Sequence, residues 1–385
     1  MKNFTFVNPV KIIFGKNTIK EIANEIPANS QVLVVYGGGS IKKNKVYDQV
    51  KDALTNHRWS EFSGIEPNPH YETCMKAVAL IKEKNIDYIL AVGGGSVLDA
   101  VKFIAAAACF EQGDPWQILE KGSKIEKALP FGAILTISAT GSEMNSGGVI
   151  TKAETQNKMA FNSPKAFPQF SVLDPETTYT LPAKQIGNGV VDAFVHIMEQ
   201  YLTYSEEDTL FQDLVWEGIT KTLVIEGPKA LQNPHDYDVR ANLMWASTWA
   251  LNGWFAKGCD EDWATHLIGH ELTAFYGIDH GQTLAIVLPG VMTVLKDQKS
   301  KKIKRLGKEV FGINTATDNE LIDESIKATE DFFESMGIKT HLSDYGLGEE
   351  AIEKVAERLN QRGWKIGECY NITGDTVREI LKLRK

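Results

Sequence analysis

The sequence predicts an α/β domain with a parallel sheet over residues 1–182, followed by an all-α domain over residues 183–385. Three observations predict it. Short apolar, β-branched runs at 31–36, 88–92 and 131–137 alternate with stretches of helical spacing, the pattern of parallel strands covered on both faces. The first two runs pass directly into Gly-Gly-Gly-Ser. After Leu181-Pro182 no strand pattern follows, and helical spacing takes over.

In chain order, residues 4–14 read as an edge strand ending at Gly15, and 17–26 as a helix. The run 31–36, QVLVVY, is a buried strand. Helices are expected at 46–54 and 71–85, and between them the prolines of GIEPNP fix a turn. The strand at 88–92 leads into an alanine-rich helix at 97–109; the strand at 131–137 leads into SATGSE, 138–143. Further helices are expected at 185–202, 208–230, 236–256, 262–274, 284–295, 301–310, 319–336 and 349–362. Leu321, Ile322, Ile326, Phe332, Phe333 and Met336 form one apolar stripe, which is ordinary helix core.

Hydrophobic content of 43% and charged content of 24% are those of a soluble globular protein. A net charge of −9 leaves no basic excess to neutralise phosphates, which excludes nucleic-acid backbones and anionic membranes as partners. Cys74, Cys109, Cys259 and Cys369 lie far apart without zinc-finger spacing, as suits a reducing cytoplasm. The opening MKNFTFVNPVKIIFG lacks the apolar core of a signal peptide, and the longest apolar run, 103–110, is too short to span a bilayer.

Strand, then Gly93-Gly94-Gly95-Ser96, then helix is a physical anion site. Glycines let the backbone approach a ligand closely, and the first helical turn offers N–H groups and the positive end of the dipole. A pyrophosphate suits that geometry; a tight strand-to-helix turn is the plainer reading. Neither glycine loop matches G-x-G-x-x-G, because Leu98 and Lys42 stand where the third glycine would be. The earlier loop, Gly37-Gly38-Gly39-Ser40, carries no acid to hold a ribose 2′-hydroxyl. It leaves room at Gly39 and Ser40, and Lys42 and Lys43 follow, which favours NADP over NAD. Both lysines also read as solvated surface residues.

Residues 263–280, WATHLIGHELTAFYGIDH, hold three of the chain's eight histidines. His266 and His270 are four apart and share a helix face; His280 follows the helix stop Gly277 and can fold back toward them. The set reads either as a polar helix face or as metal ligands. In GVVDAFVH, 189–196, Asp192 and His196 are again four apart, amid apolar neighbours where a buried carboxylate needs a partner. Asp192, His196, His266 and His280 together offer one oxygen and three nitrogens, suited to Fe2+ or Zn2+ with a position open for substrate. His270 is left over: a proton-relay or substrate-positioning group, or a histidine bonded to a carbonyl. Trp245, Trp249, Trp254 and Trp263 read first as core.

GGGSVLD (93–99), TISATGSE (136–143), GVVDAFVH (189–196) and HLIGHELTAFYGIDHGQTLAIVLP (266–289) together resemble the iron-containing, group III alcohol dehydrogenases. The likeness runs from FGK (14–16) to HLSDYGL (341–347). YGGGSIKK (36–43), IEPNP (65–69), DPWQIL (114–119) and YDVRANLMWA (237–246) narrow it to the NADPH-dependent butanol dehydrogenase and broad aldehyde reductase branch. The resemblance implies a dehydroquinate synthase-like architecture: a dinucleotide-binding domain, a helical metal-binding domain, and an active site between them. It implies metal ligands at Asp192, His196, His266 and His280, a pyrophosphate loop at Gly93 to Ser96, and Asp99 toward the nicotinamide. It places the 2′-side loop at Gly38, Gly39 and Ser40; NAD-using relatives carry aspartate at the position of Gly39. Asn68, Thr136, Thr140, Ser142, Val149 and Lys158 match cofactor-contact positions, and His270 the histidine near the substrate.

The reaction implied is reversible hydride transfer between NADP(H), or NAD(H), and an aldehyde such as butanal, with Fe2+ or Zn2+. A homodimer is implied, through the strand at 4–14. A dehydroquinate synthase-type reaction calls for a cluster of Lys and Arg that is absent near Asp192 and His266. A non-catalytic dinucleotide or metal sensor is the rival from outside enzymes.

Overall fold

The computed structural model describes residues 1–204 and 208–385, and the elements named are those of the described residues. The first part of the chain runs β1 (Lys11–Phe14), α1 (Ile22–Glu25), β2 (Gln31–Tyr36), α2 (Ser40–Lys43), α3 (Val46–Ala53), β3 (Arg58–Phe62), α4 (Tyr71–Lys84), β4 (Tyr88–Gly93), α5 (Gly95–Ala108), α6 (Gln117–Glu120), β5 (Phe131–Leu135), β6 (Gly147–Lys152), β7 (Asn157–Asn162) and β8 (Phe170–Leu173). Helices follow: α7 (Ala183–Tyr201), α8 (Leu210–Gln232), α9 (Tyr237–Ala250), α10 (Ala264–Tyr276), α11 (His280–Val294), α12 (Lys296–Arg305), α13 (Asp318–Ser335), α14 (Glu349–Gln361) and α15 (Gly374–Lys382).

Among the described residues, six strands form one sheet in the order β1-β8-β5-β4-β2-β3, every neighbouring pair parallel. Side chains alternate across it, and both faces are covered. Leu33, Val35, Ile89, Ala91, Ala133 and Leu135 share one core with Cys74, Val78 and Ile81 of α4 and Leu98, Val101 and Ala105 of α5. Val32, Val34, Tyr36, Leu90, Val92 and Ile134 share the opposite core with Ile19, Ile22, Val46 and Val50. The chain leaves β2 for the edge strand β3, then returns to β4 on the other side of β2. That reversal opens a crevice at the strand ends, the usual ligand position in such sheets. Tyr36 lies opposite Val92, so the two glycine loops leave the sheet side by side there.

Several elements differ from expectation. Only Lys11–Phe14 of the edge strand at 4–14 pairs, with β8. The hairpin β6–β7 and strands β3 and β8 occupy stretches that showed no strand pattern. The helix expected at 236–256 stops at Ala250, and the one expected at 284–295 begins at His280.

Residues 7–181 and 234–252 form one compact unit; residues 1–6, 182–233 and 253–385 form the other. The chain passes between these units four times, once between residues 181 and 182, beside the boundary expected after residue 182. Helix α9 joins the sheet-bearing unit through apolar and polar side chains, with Met244 fully buried in the core on one face of the sheet. Arg240 bonds the Thr178 carbonyl, and the Thr248 hydroxyl meets the buried Glu143 carboxylate. Periodicity marks α9 as a helix but carries no record of which core receives it.

In the helical unit α7 packs against α8 and α11, and α10 packs against α11. Every residue of α7 from Ile186 to Tyr201 is buried, its polar positions Asn188, Asp192, His196, Glu199 and Gln200 included. Gly277 ends α10 in the left-handed conformation, φ 67°, and the chain turns within three residues to start α11 at His280.

Candidate functional site

Helix α7 brings Asp192 and His196 onto one face, α10 supplies His266, and the first residue of α11 is His280. Asp192 Oδ1 lies 3.6 Å from His196 Nδ1, 3.8 Å from His266 Nε2 and 3.6 Å from His280 Nε2. Ligand atoms of Asp192, His196 and His266 all fall within 4.8 Å of one another. Ligands about 2.1 Å from a tetrahedral ion stand roughly 3.4 Å apart, so these separations suit one ion. His196 Nδ1 and His266 Nε2 are buried with no hydrogen-bond partner, a state that a cation relieves. Asp192, His196 and His266 are no more than 6% exposed, whereas the His280 side chain is 24% exposed, so the cluster opens on the His280 side.

The surroundings tune these side chains. Burial pushes the His196 pKa down to about 4, which keeps its imidazole neutral and able to ligate. Burial works against the charged form of His266 as well, but the adjacent carboxylates of Glu199, first, and Asp192 outweigh it and hold that pKa at about 9.

Sequence reasoning missed Glu199. It sits one turn beyond His196 on α7, and its carboxylate accepts the His266 backbone N–H at 2.9 Å and meets His266 Nδ1. The signal was the spacing Asp192, His196, Glu199, which continues the same stripe. Asn188 begins that stripe and holds Asp279 at 3.1 Å, beside a Lys184–Asp279 pair at 2.8 Å. Asp279 precedes His280, so α7 anchors that histidine too. His270 is buried on α10, its ring centroid 5.3 Å from that of His280 and 6.1 Å from that of His266. It lies beside the cluster of Asp192, His196 and His266 and is not part of it.

In the sheet-bearing unit, the expected cofactor residues gather around the start of α5. Gly93, Gly94 and Gly95 are required by the protein's own packing. A Cβ there would lie 2.5 Å from Val97, 2.9 Å from Ile137 and 2.4 Å from Thr140, respectively. Gly38 and Gly39 differ: a Cβ on either meets nothing within 4 Å, and Gly39 has φ 92°. The earlier loop therefore has the open space that a ligand needs. Asn68 N–H donates to Ser96 Oγ at 3.3 Å, and Lys158 Nζ donates to Asn68 Oδ1 at 2.9 Å. Asp99 accepts from Ser142 Oγ at 2.6 Å and from the Val149 N–H at 3.0 Å. Thr136 continues β5 with its N–H on the Gly93 carbonyl. Lys42 is drawn toward Glu61, 3.6 Å away, and over the ring of Tyr47, while Lys43 is exposed.

A second residue absent from the sequence reading is Lys102, fully buried one turn after Asp99. Its ammonium donates to Asn145 Oδ1 at 2.7 Å and the Gly147 carbonyl at 2.6 Å, fastening α5 to the start of β6. Burial lowers its pKa to about 8. An alanine-rich helix gives no hint of it, since a lysine there reads as surface.

The comparisons with known proteins agree with this arrangement. Residues 9–175 match the family model described as iron-containing alcohol dehydrogenase, and residues 187–384 match the C-terminal model of the Fe-containing alcohol dehydrogenase family. The chain is 51% identical to the NADPH-dependent aldehyde reductase YqhD of Escherichia coli, covering 99% of each chain. It is 41% identical to NADH-dependent butanol dehydrogenase A of Clostridium acetobutylicum, again over 99% of each. The crystal structure of NADH-dependent butanol dehydrogenase A from Thermotoga maritima superposes with a TM-score of 0.95 at 40% identity, covering 100% of this chain and 99% of that one. With both halves matched and the histidine cluster in place, the chain belongs to the iron-containing alcohol dehydrogenase family.

Proposed function

We propose that this oxidoreductase moves a hydride reversibly between NADP(H) and short-to-medium-chain aldehydes or primary alcohols, butanal and butanol among them. The observation that carries the reading is the buried Asp192, His196 and His266 cluster, open at His280, in a chain whose sheet also bears two glycine loops at its switch point. The relatives, named as aldehyde reductase and butanol dehydrogenase, support it. Asp192, His196, His266 and His280 would hold one Fe2+ or Zn2+, which when bound supplies Lewis-acid polarisation of a carbonyl oxygen. NADP(H) supplies the hydride.

The chain's own residues bind and orient. The first turn of α5 receives a pyrophosphate with its N–H groups and dipole. Asn68, Lys158, Asp99, Ser142 and Val149 form the bonded frame beside it. His270 would relay a proton or position the substrate near the cluster; His270→Ala is expected to lower turnover roughly 100-fold and, for a relay, to reshape its pH profile. Unchanged turnover with an unchanged profile would remove that role. The deciding assay is NADPH oxidation with butanal, before and after chelation. Aldehyde-dependent oxidation that chelation abolishes is expected; none in metal-loaded protein would favour a sensor.

Preference for NADP rests on the open loop at Gly38 to Ser40, which carries no acid. Relatives include both NADPH- and NADH-dependent enzymes, so the loop itself is the discriminator. Gly39→Asp is expected to raise the NADH-to-NADPH ratio of kcat/KM at least tenfold, through repulsion of a 2′-phosphate and a new bond to the 2′-hydroxyl (~1.4 kcal/mol). Aspartate tolerates the left-handed backbone there better than most residues. An unchanged ratio would overturn the assignment of this loop.

The same reading includes a homodimer in a reducing cytoplasm. β1 lies at a sheet edge, Phe4 and Val7 before it are exposed, and the four cysteines are free thiols. No helix of the described residues is long and apolar enough to cross a membrane.

A further inference from the structure

We propose that Glu199 is the positioning residue of the metal centre: it fixes His266 with Nε2 toward the ion and supplies the second negative charge that a divalent cation needs there. The inference rests on the metal reading above and deepens it. Glu199 is 3% exposed, and both of its carboxylate oxygens serve a single residue of α10. One accepts the His266 backbone N–H; the other meets His266 Nδ1. An ionised carboxylate only accepts, so the proton of a neutral His266 must sit on Nδ1, which leaves a lone pair on Nε2. Nε2 is the atom that faces Asp192, buried and without a hydrogen-bond partner.

Charge gives the second argument. With two carboxylates, Asp192 and Glu199, counted as anions and metal-bound imidazoles as neutral, the formal charge of the group is −2. A divalent ion then brings the buried group to zero. Without Glu199 the group keeps one positive charge among Val191, Phe194, Val195 and Ile197, all fully buried, where an uncompensated charge is strongly unfavourable. Glu199 also satisfies one of the orphan N–H groups in the first turn of α10, a capping role that any acceptor of the right length could fill. The test must separate capping from metal positioning.

Glutamine at 199 keeps an acceptor for the backbone N–H but turns an N–H₂ toward Nδ1, which moves the imidazole proton to Nε2. Glu199→Gln, Glu199→Asp, His266→Ala and the wild-type chain, each stripped of metal, are titrated with Zn2+ against a chromogenic chelator. Their Co2+ absorption spectra and metal-free melting temperatures are recorded alongside. Glu199→Gln is expected to bind Zn2+ roughly 10- to 100-fold more weakly, with an altered Co2+ spectrum and a nearly unchanged metal-free melting temperature. Glu199→Asp, which keeps the charge, is expected to recover part of the affinity, and it serves as the test if the glutamine variant does not fold. Wild-type Zn2+ affinity in Glu199→Gln would overturn the proposal, as would a lowered melting temperature with affinity unchanged, which marks capping alone. Zn2+ bound normally by His266→Ala would instead remove the metal reading beneath it.

Discussion

His266→Ala is expected to yield a folded chain that retains essentially no metal and turns over butanal at least roughly 1000-fold more slowly, since an electrophilic ion supplies several kcal/mol of charge stabilisation. His266 is the hinge of the cluster. Its Nε2 faces Asp192, its Nδ1 meets Glu199, and its ring stacks on His196 at a centroid distance of 4.6 Å. Removing it subtracts one proposed nitrogen ligand and leaves the buried Glu199 without its ring partner. Elemental analysis of the purified variant, with NADPH oxidation on the same sample, checks both consequences. A variant with full turnover and no metal would sink the reading of the site.

Gly281→Ala is expected to have the next largest effect, although glycine to alanine inside a helix ordinarily stabilises. A Cβ at 281 would lie 2.6 Å from the Asn188 carbonyl oxygen and 2.9 Å from Asn188 Cα. Both are backbone atoms of α7, so no rotamer change relieves the clash. The start of α11 must move away from α7, and His280 moves with it. A loss of about 1–3 kcal/mol in stability is expected, together with weaker Zn2+ binding. Gly218→Ala in α8 is the comparator, because a Cβ there meets nothing within 4 Å. A melting temperature at or above wild type is expected for it. Equal melting temperatures for the two variants would contradict the close packing of α7 and α11.

Elements whose surroundings match their own periodicity were legible in the sequence. β2, β4 and β5 lie between two covering layers, so their continuous apolar runs announce them. β3, RWSEF, is an edge strand with only partly buried side chains, and such a strand carries no apolar run to read. The hairpin β6–β7 opens on two glycines and alternates weakly. The stripe of Asp192 and His196 was legible because helical spacing puts positions four apart on one face. His266 and His280 stood out by density in a chain poor in histidine. Glu199 and Lys102 escaped because a carboxylate or ammonium in a helix looks like surface until its burial is known. The destination of α9 escaped for a related reason: amphipathic spacing fixes an inner face without naming the partner core.

The interleaving of the two units bears on how the chain is made. The sheet is written by residue 173, yet the unit that contains it also includes 234–252. As the chain emerges in order from the ribosome, α7 and α8 therefore appear before α9 can close onto the sheet-bearing half. A fragment ending at residue 182 would lack the Thr248 hydroxyl that meets buried Glu143, as well as Arg240 at the Thr178 carbonyl. The proposed set of metal ligands is complete later still, once His280 has been made. On that ligand set a complete site exists only once the sheet and α7 to α10 have been made, so metal capture follows the early steps of collapse.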